Sequence, residues 1–273
     1  MDLKDKLLLI RENDYQAPLD IFPFVQEMIH NIGSLDAQLR DELIYTTLSN
    51  WIPGNALTVH ELEQILPLVL DESHLLYRLG ETNSDSVFTR SFSMLVISLF
   101  FTRNRESPFL SKEHIHRIKE NVFYNVQKEC DYRGYDEVKG WAHAVAHAAD
   151  VLDDLAQCTE LDEIDLITIL DLVYQKATIT DRVYSDGEDE RMVKSIISVL
   201  NRKMLRQTYI KQWIQRFGDV EKDLEFLPSF RQKNNIKNFL KSLYFRIKFH
   251  QLDADLGLTI EHTLYKVEPV YYS

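Results

Sequence analysis

Residues 140–155 read GWAHAVAHAADVLDDL. At about 100° per residue, Trp141, Val145, Ala148, Leu152 and Leu155 share one narrow stripe, the spacing of a helix with one face in a core. Four other stretches have the same make-up, a polar or charged opening followed by a compact apolar helix with small residues. They begin at Asp41 (DELIYTTLSNWI), Thr89 (TRSFSMLVISLFF), Asp189 (DERMVKSIISVL) and Lys233 (KNNIKNFLKSLYF). In chain order the five starts are 48, 51, 49 and 44 residues apart, and each is preceded by a further helical stretch. A period in the forties built from helix A, a loop and helix B is the pattern of HEAT-like repeats. The expected fold is all-α: a HEAT-like α-solenoid of about five stacked helix pairs. It would form a single domain over residues 1–273, with a repeat core at about 18–250 and an irregular or short-hairpin tail at 251–273. In that tail LTIEHTLYKV alternates weakly in polarity.

Local signals agree with helices. Ile115, Ile118, Val122 and Val126 mark one face of 112–130, with Ser111 as its N-cap. Thr58 and Glu61 form a capping box ahead of Leu62, Ile65 and Leu66, and Pro67 should kink or split that helix. Only 8 Gly and 7 Pro occur in 273 residues, too few to punctuate an all-β chain. A hydrophobic content of 45% is enough to fill a sizeable core.

No stretch reads as a signal peptide or a membrane span, and Cys130 and Cys158 make no disulfide framework. The chain is expected to be cytoplasmic. A net charge of −12 argues against general binding to nucleic acid or to an anionic membrane. That charge is uneven: residues 150–190 sum to −11, and residues 202–248 to +8. Exposed helix faces of opposite sign account for this, and a basic C-terminal patch for an acidic partner is the alternative.

If the pairs stack, the A–B loops gather on one edge. These are the least helix-like parts of the chain, GETNSDS (80–86), DYRGYD (131–136) and TITDRVYSDG (178–187). On helix 140–155 a second stripe, roughly opposite the apolar one, carries His143, His147, Asp150 and Asp154. Three readings apply: an exposed face of His–Asp pairs, a polar binding surface, or a metal or acid–base site. His143 and His147 are one turn apart and Asp150 could be a third ligand, but Ala144 stands where a zincin has its catalytic Glu. Trp141 heads the apolar stripe and is expected to be buried. Asp131 and Arg133 should fold over the start of the same helix, with Gly134 supplying a tight bend. Arg90, Glu188, Asp189 and Arg191 open neighbouring B helices and should approach that surface. Arg90 and Arg133 would then pair with acids of adjacent repeats or hold an anionic ligand.

Three motifs, DYRG with GWAHA, His147 and Ala149–Asp150, then VFTRSFS (87–93), then DGEDER (186–191), resemble the bacterial domain-of-unknown-function 2785 family. The likeness is clearest over 80–200. It implies an all-helical bacterial protein and brings no established activity. GWAHA is also similar to the GWCHG zinc motif of lanthionine cyclases, but Ala142 stands in place of the liganding cysteine. The leading expectation is a binding protein with a polar groove at the third helix pair, taking a small polar ligand or a protein or peptide partner, with no cofactor. The second is a hydrolase-like enzyme using one divalent metal ion, or acid–base groups, at His143, His147 and Asp150.

Overall fold

The computed structural model describes residues 1–219 and 224–271; residues 220–223 and 272–273 lie outside them, and with them Glu221 and Asp223 of the basic stretch. Twelve α-helices account for most of the described chain. They run α1 Leu3–Glu12, α2 Phe22–His30, α3 Thr46–Trp51, α4 Val59–Val69, α5 Ser86–Glu106 and α6 Lys112–Lys128. After these come α7 Ala144–Gln157, α8 Glu163–Ala177, α9 Glu188–Asn201, α10 Gln207–Arg216, α11 Phe226–Phe249 and α12 Ala254–Val267. A π-helical stretch, Gln38–Tyr45, leads directly into α3. The two strands, β1 Tyr135–Asp136 and β2 Gly140–Trp141, pair antiparallel with Tyr135 opposite Trp141.

The five B segments fall mainly on helical stretches, the π-helix with α3, then α5, α7, α9 and α11, and the third of them opens with β2. The capping residues read from sequence cap real helices. Ser111 accepts from the His114 backbone N–H at the start of α6, and Thr58 and Glu61 close a reciprocal box at the start of α4. Helix α4 continues two residues beyond Pro67.

The tail differs from expectation. Residues 254–267 form a regular helix, α12, with Leu256, Ile260, Leu264 and Val267 buried on one side. Asp253 caps it by accepting from the Asp255 backbone N–H. The alternation of LTIEHTLYKV was too short to override an i, i+4, i+8 apolar pattern with an acidic cap before it.

The described residues form two compact units, Met1–Val151 and Leu152–Ser273, with the boundary inside α7. In the first unit Leu43, Ile44, Leu48, Val87, Phe88 and Phe100 are fully buried. There Asn125 donates to the Leu75 carbonyl at 2.7 Å, fixing the turn that follows α4. In the second unit Trp213, Phe217 and Phe239 stack into an aromatic centre, and the Trp213 indole N–H donates to the Leu170 carbonyl at 3.0 Å. Asn235 does there what Asn125 does in the first: it accepts from the Tyr184 N–H and donates to the Ile179 and Arg182 carbonyls. Each buried amide satisfies loop backbone that would otherwise be stranded away from water.

Candidate functional site

Helix α7 begins at Ala144, so Trp141 and His143 precede it. Trp141 is the second residue of β2, and His143 lies in the turn that links the β1–β2 hairpin to the helix. Gly140 has φ +76° and His143 φ +50°, and between them they reverse the chain into α7. Left-handed backbone is ordinary for glycine and uncommon for histidine. The left-handed backbone of this turn falls on Gly140 and His143 and not, as expected, on Gly134. The DYRG loop does cross the helix start as expected: the Gly134 carbonyl accepts from the Ala142 N–H at 2.9 Å, and the Arg133 carbonyl from the His143 N–H at 3.0 Å.

This geometry corrects two expectations. Trp141 is 38% exposed, because a wheel drawn through residues 141–155 assumed helix where there is hairpin. His143 and His147 are both only 5% exposed, so they are not a solvent-facing polar stripe. Burying a polar ring calls for partners, and His147 Nδ1 lies 2.8 Å from the Ser91 hydroxyl on α5 and 3.2 Å from the Ser91 carbonyl.

The two histidines sit in the middle of a run of six rings. Tyr135 meets Trp141 edge to face with centroids 4.8 Å apart. Trp141 stacks on His143 at 4.6 Å with 20° between the planes. His143 meets His147 at 5.5 Å, His147 meets Phe92 at 5.4 Å, and Phe92 meets Tyr45 at 6.3 Å. Tyr135, half exposed, and Trp141 form the outer end; Phe92 is buried. Contacts of this kind contribute about 0.5–1.5 kcal/mol each beyond the area they bury.

Below the hairpin, the π-helical stretch supplies Arg40 and Asp41. The fully buried Arg40 guanidinium donates to the Ser34 carbonyl at 2.7 Å and the Lys139 carbonyl at 2.6 Å, and lies over the rings of Phe88 and Phe92. Its Nε lies 2.6 Å from Asp41 Oδ1, an ion pair without a well-angled hydrogen bond. Asp41 also accepts from the Trp141 backbone N–H. Burial raises the Asp41 carboxyl above its ordinary range, against the pull of Arg40, and burial likewise lowers the Arg40 guanidinium. Wider π-turns rotate successive side chains differently from an α-helix, so Arg40 and Asp41, adjacent in sequence, both reach the hairpin; π-helix recurs at functional sites.

Arg90 is buried on α5 and forms a bidentate pair with Glu129, Nε–Oε2 2.6 Å and Nη2–Oε1 2.9 Å. It also donates to the Tyr77 carbonyl and the Ser86 hydroxyl, so it is a clamp on the 75–81 turn, with no donor spare for an anion. Arg133 forks onto Asp131, Nη2–Oδ2 2.7 Å and Nε–Oδ1 2.9 Å, and donates to the Ser84 carbonyl. Its hydrogen bonds to Asp131 raise the guanidinium above its ordinary value. Of the two expectations for these arginines, pairing is therefore the one seen, with Glu129 at the end of α6 and Asp131 in the DYRG loop. Asp150 is partly buried one turn beyond His147. Glu188, Asp189 and Arg191 belong to α9 in the second unit, where Glu188 accepts from the Asp186 N–H and burial raises its carboxyl. Asp154, buried on α7, also belongs to that unit. Among the described residues, no three His, Cys, Asp or Glu side chains are grouped to hold a metal ion.

A family model described as "Protein of unknown function (DUF2785)" matches residues 75–245. The chain belongs to the DUF2785 family. No curated protein and no solved structure matches it. The family segment contains Ser91, Phe92, the hairpin and both histidines. Arg40, Asp41 and Tyr45 lie before it, and sequence reasoning missed all three. One signal was available: Arg40 stands three and four residues before the buried Leu43 and Ile44, on the apolar side of its segment.

Proposed function

We propose that this DUF2785 chain is a binding module whose recognition element is the β1–β2 hairpin, with Tyr135 and Trp141 as the contact surface. The observation that carries the reading is the exposed Trp141 indole, stacked on a buried histidine that holds left-handed backbone. Large exposed aromatics and non-glycine residues in sparse backbone regions both concentrate at binding sites. The shell of buried His143, His147, Ser91 and Arg40, with the partly buried Asp41, fixes the indole before any ligand arrives, which lowers the ordering cost of binding. The ligand class is a small polar molecule or peptide segment with a flat or aliphatic group to lay on the ring.

Trp51 and Trp213 are buried, so tryptophan emission from the surface comes from Trp141. Titration with a panel of small polar compounds and short peptides should shift or quench that emission for one ligand class, and Trp141→Phe should abolish the signal. A panel that leaves the emission and its quenching by acrylamide unchanged throughout would remove the hairpin as the site.

The helix order supports reading the pairs as HEAT-like repeats. Two cysteines outside any disulfide support a cytoplasmic location. No helix among the described residues is long and apolar enough to cross a membrane. The hydrolase-like alternative at His143, His147 and Asp150 has less behind it, since both rings are almost wholly covered. Metal content of untagged protein at neutral pH checks it directly.

A further inference from the structure

Helix α11 is unusual for a helix on the outside of a unit. Its 24 residues hold six Lys or Arg and no Asp or Glu, in a chain of net charge −12. Its inner side, with Ile236, Phe239, Leu240, Leu243 and Ile247 buried, packs on α9 and α12. Its outer side mixes polar side chains with exposed aromatic pairs at both ends. At 100° per residue, Leu227, Phe230, Phe245 and Phe249 fall within a sector of about 100°, together with Lys241, Lys248, Arg231, Asn234 and Asn238 between and beside them. Phe245 is 51% and Phe249 75% exposed, and they stack on each other with centroids 6.2 Å apart. Phe226 and Phe230 stack in the same way at 6.0 Å near the other end. The strip is straight and about 35 Å long. Beside its C-terminal end a cavity of about 410 Å³ opens between α11 and α12, lined mainly by apolar groups including Ile247, Leu252 and Leu258.

We propose that the outer face of α11 is a docking surface for an acidic amphipathic helix of a protein partner. The partner's apolar side chains would lie against the paired phenylalanines, with one entering the cavity, and its carboxylates would meet Lys241 and Lys248. Charge complementarity selects an acidic partner. Exposed aromatic pairs beside basic residues are the kind of anchor such an interface uses. A bilayer fits less well. Asp189 and Glu190, held by Ser242 and Arg246 of α11, and Glu261, hydrogen-bonded to Tyr244, lie on the helices packed against α11. A flat anionic surface would bring these acids within a Debye length, about 8 Å, whereas a single helix touches only the strip. This proposal is independent of the hairpin reading and survives or fails apart from it.

The test uses the full chain and two synthetic helical peptides, each with a leucine face, one flanked by glutamates and the other by lysines. The glutamate peptide should bind, more weakly as salt rises, and the lysine peptide should not. The Phe245→Ser/Phe249→Ser variant should bind about tenfold or more weakly. Lys241→Glu/Lys248→Glu alters only exposed side chains and should weaken binding to a similar extent, with thermal unfolding unchanged. Equal binding of both peptides, binding of neither, or recruitment to phosphatidylserine-containing vesicles in their place would overturn the proposal.

Discussion

His143 lies face to face with Trp141, ring centroids 4.6 Å apart, with the imidazole covered and the indole open to solvent. The indole therefore rests on the histidine, and it is the indole that a ligand can reach. Trp141→Ala should lower stability by about 1 kcal/mol, the scale of an aromatic pair, and well short of the 3–5 kcal/mol of a core tryptophan. Trp51→Ala, removing a buried ring, should show the larger loss. Urea unfolding of the two variants makes the comparison. Equal losses would place Trp141 in the core and withdraw it as a contact surface.

Both histidines belong to the packed interior, so they are not silent sites. His147→Ala leaves the Ser91 hydroxyl without the imidazole nitrogen 2.8 Å away and opens a cavity beside Phe92, a loss of about 2–3 kcal/mol. A neutral His147→Ala would return these rings to the surface stripe that the helical wheel suggests.

Gly140 is closely confined. A Cβ there would come within 2.9 Å of the Ala37 Cβ and 3.1 Å of both Arg40 Nη2 and Asp41 Oδ2, on backbone with φ +76°. Gly140→Ala should cost more than the roughly 1 kcal/mol of left-handed strain alone, because it also pushes the hairpin off the Arg40–Asp41 pair. The expected outcome is a lower unfolding midpoint together with stronger acrylamide quenching of Trp141.

The Asp41 carboxyl gives stability a definite slope with pH. Its native value is raised above the ordinary 3.8 by burial. Between 3.8 and the raised value the native state keeps a proton that the unfolded chain has released, so this group's contribution to stability falls as pH rises through that window. Asp41→Asn keeps an acceptor for the Trp141 N–H and removes the titration. Unfolding midpoints measured across acid pH should fall less steeply on raising the pH in the variant than in the parent. Parallel profiles would refute the assignment.

Arg90 and Glu129 are buried as a two-point pair, so removing either partner strands a charge. Arg90→Ala should lose about 3–5 kcal/mol. Arg90→Lys, which keeps the charge and loses the fork, should recover only part of it. Calorimetric unfolding of the three proteins separates these outcomes.

The order of helices was legible because caps and apolar spacing are local: Ser111, Thr58 with Glu61, and the five B segments all act within a turn or two of themselves. The site was legible only in outline. The motif marked the loop and the histidines on which the proposed site rests, but their exposure depended on where α7 begins. That boundary is set by φ at Gly140 and His143, which spacing cannot reveal. Arg40 was hidden for a second reason, since its partner Lys139 is 99 residues away and it starts from a π-helical turn.

Arg40 and Asp41 stand outside the segment, residues 75–245, that identifies the family. A fragment cut to that segment would keep the hairpin and both histidines, yet lose the guanidinium that holds the Lys139 carbonyl and the carboxylate that holds the Trp141 amide. Recombinant pieces designed from the family boundaries should therefore carry the signature without its native shape. Any member built without an equivalent of residues 34–41 must brace this turn by other means.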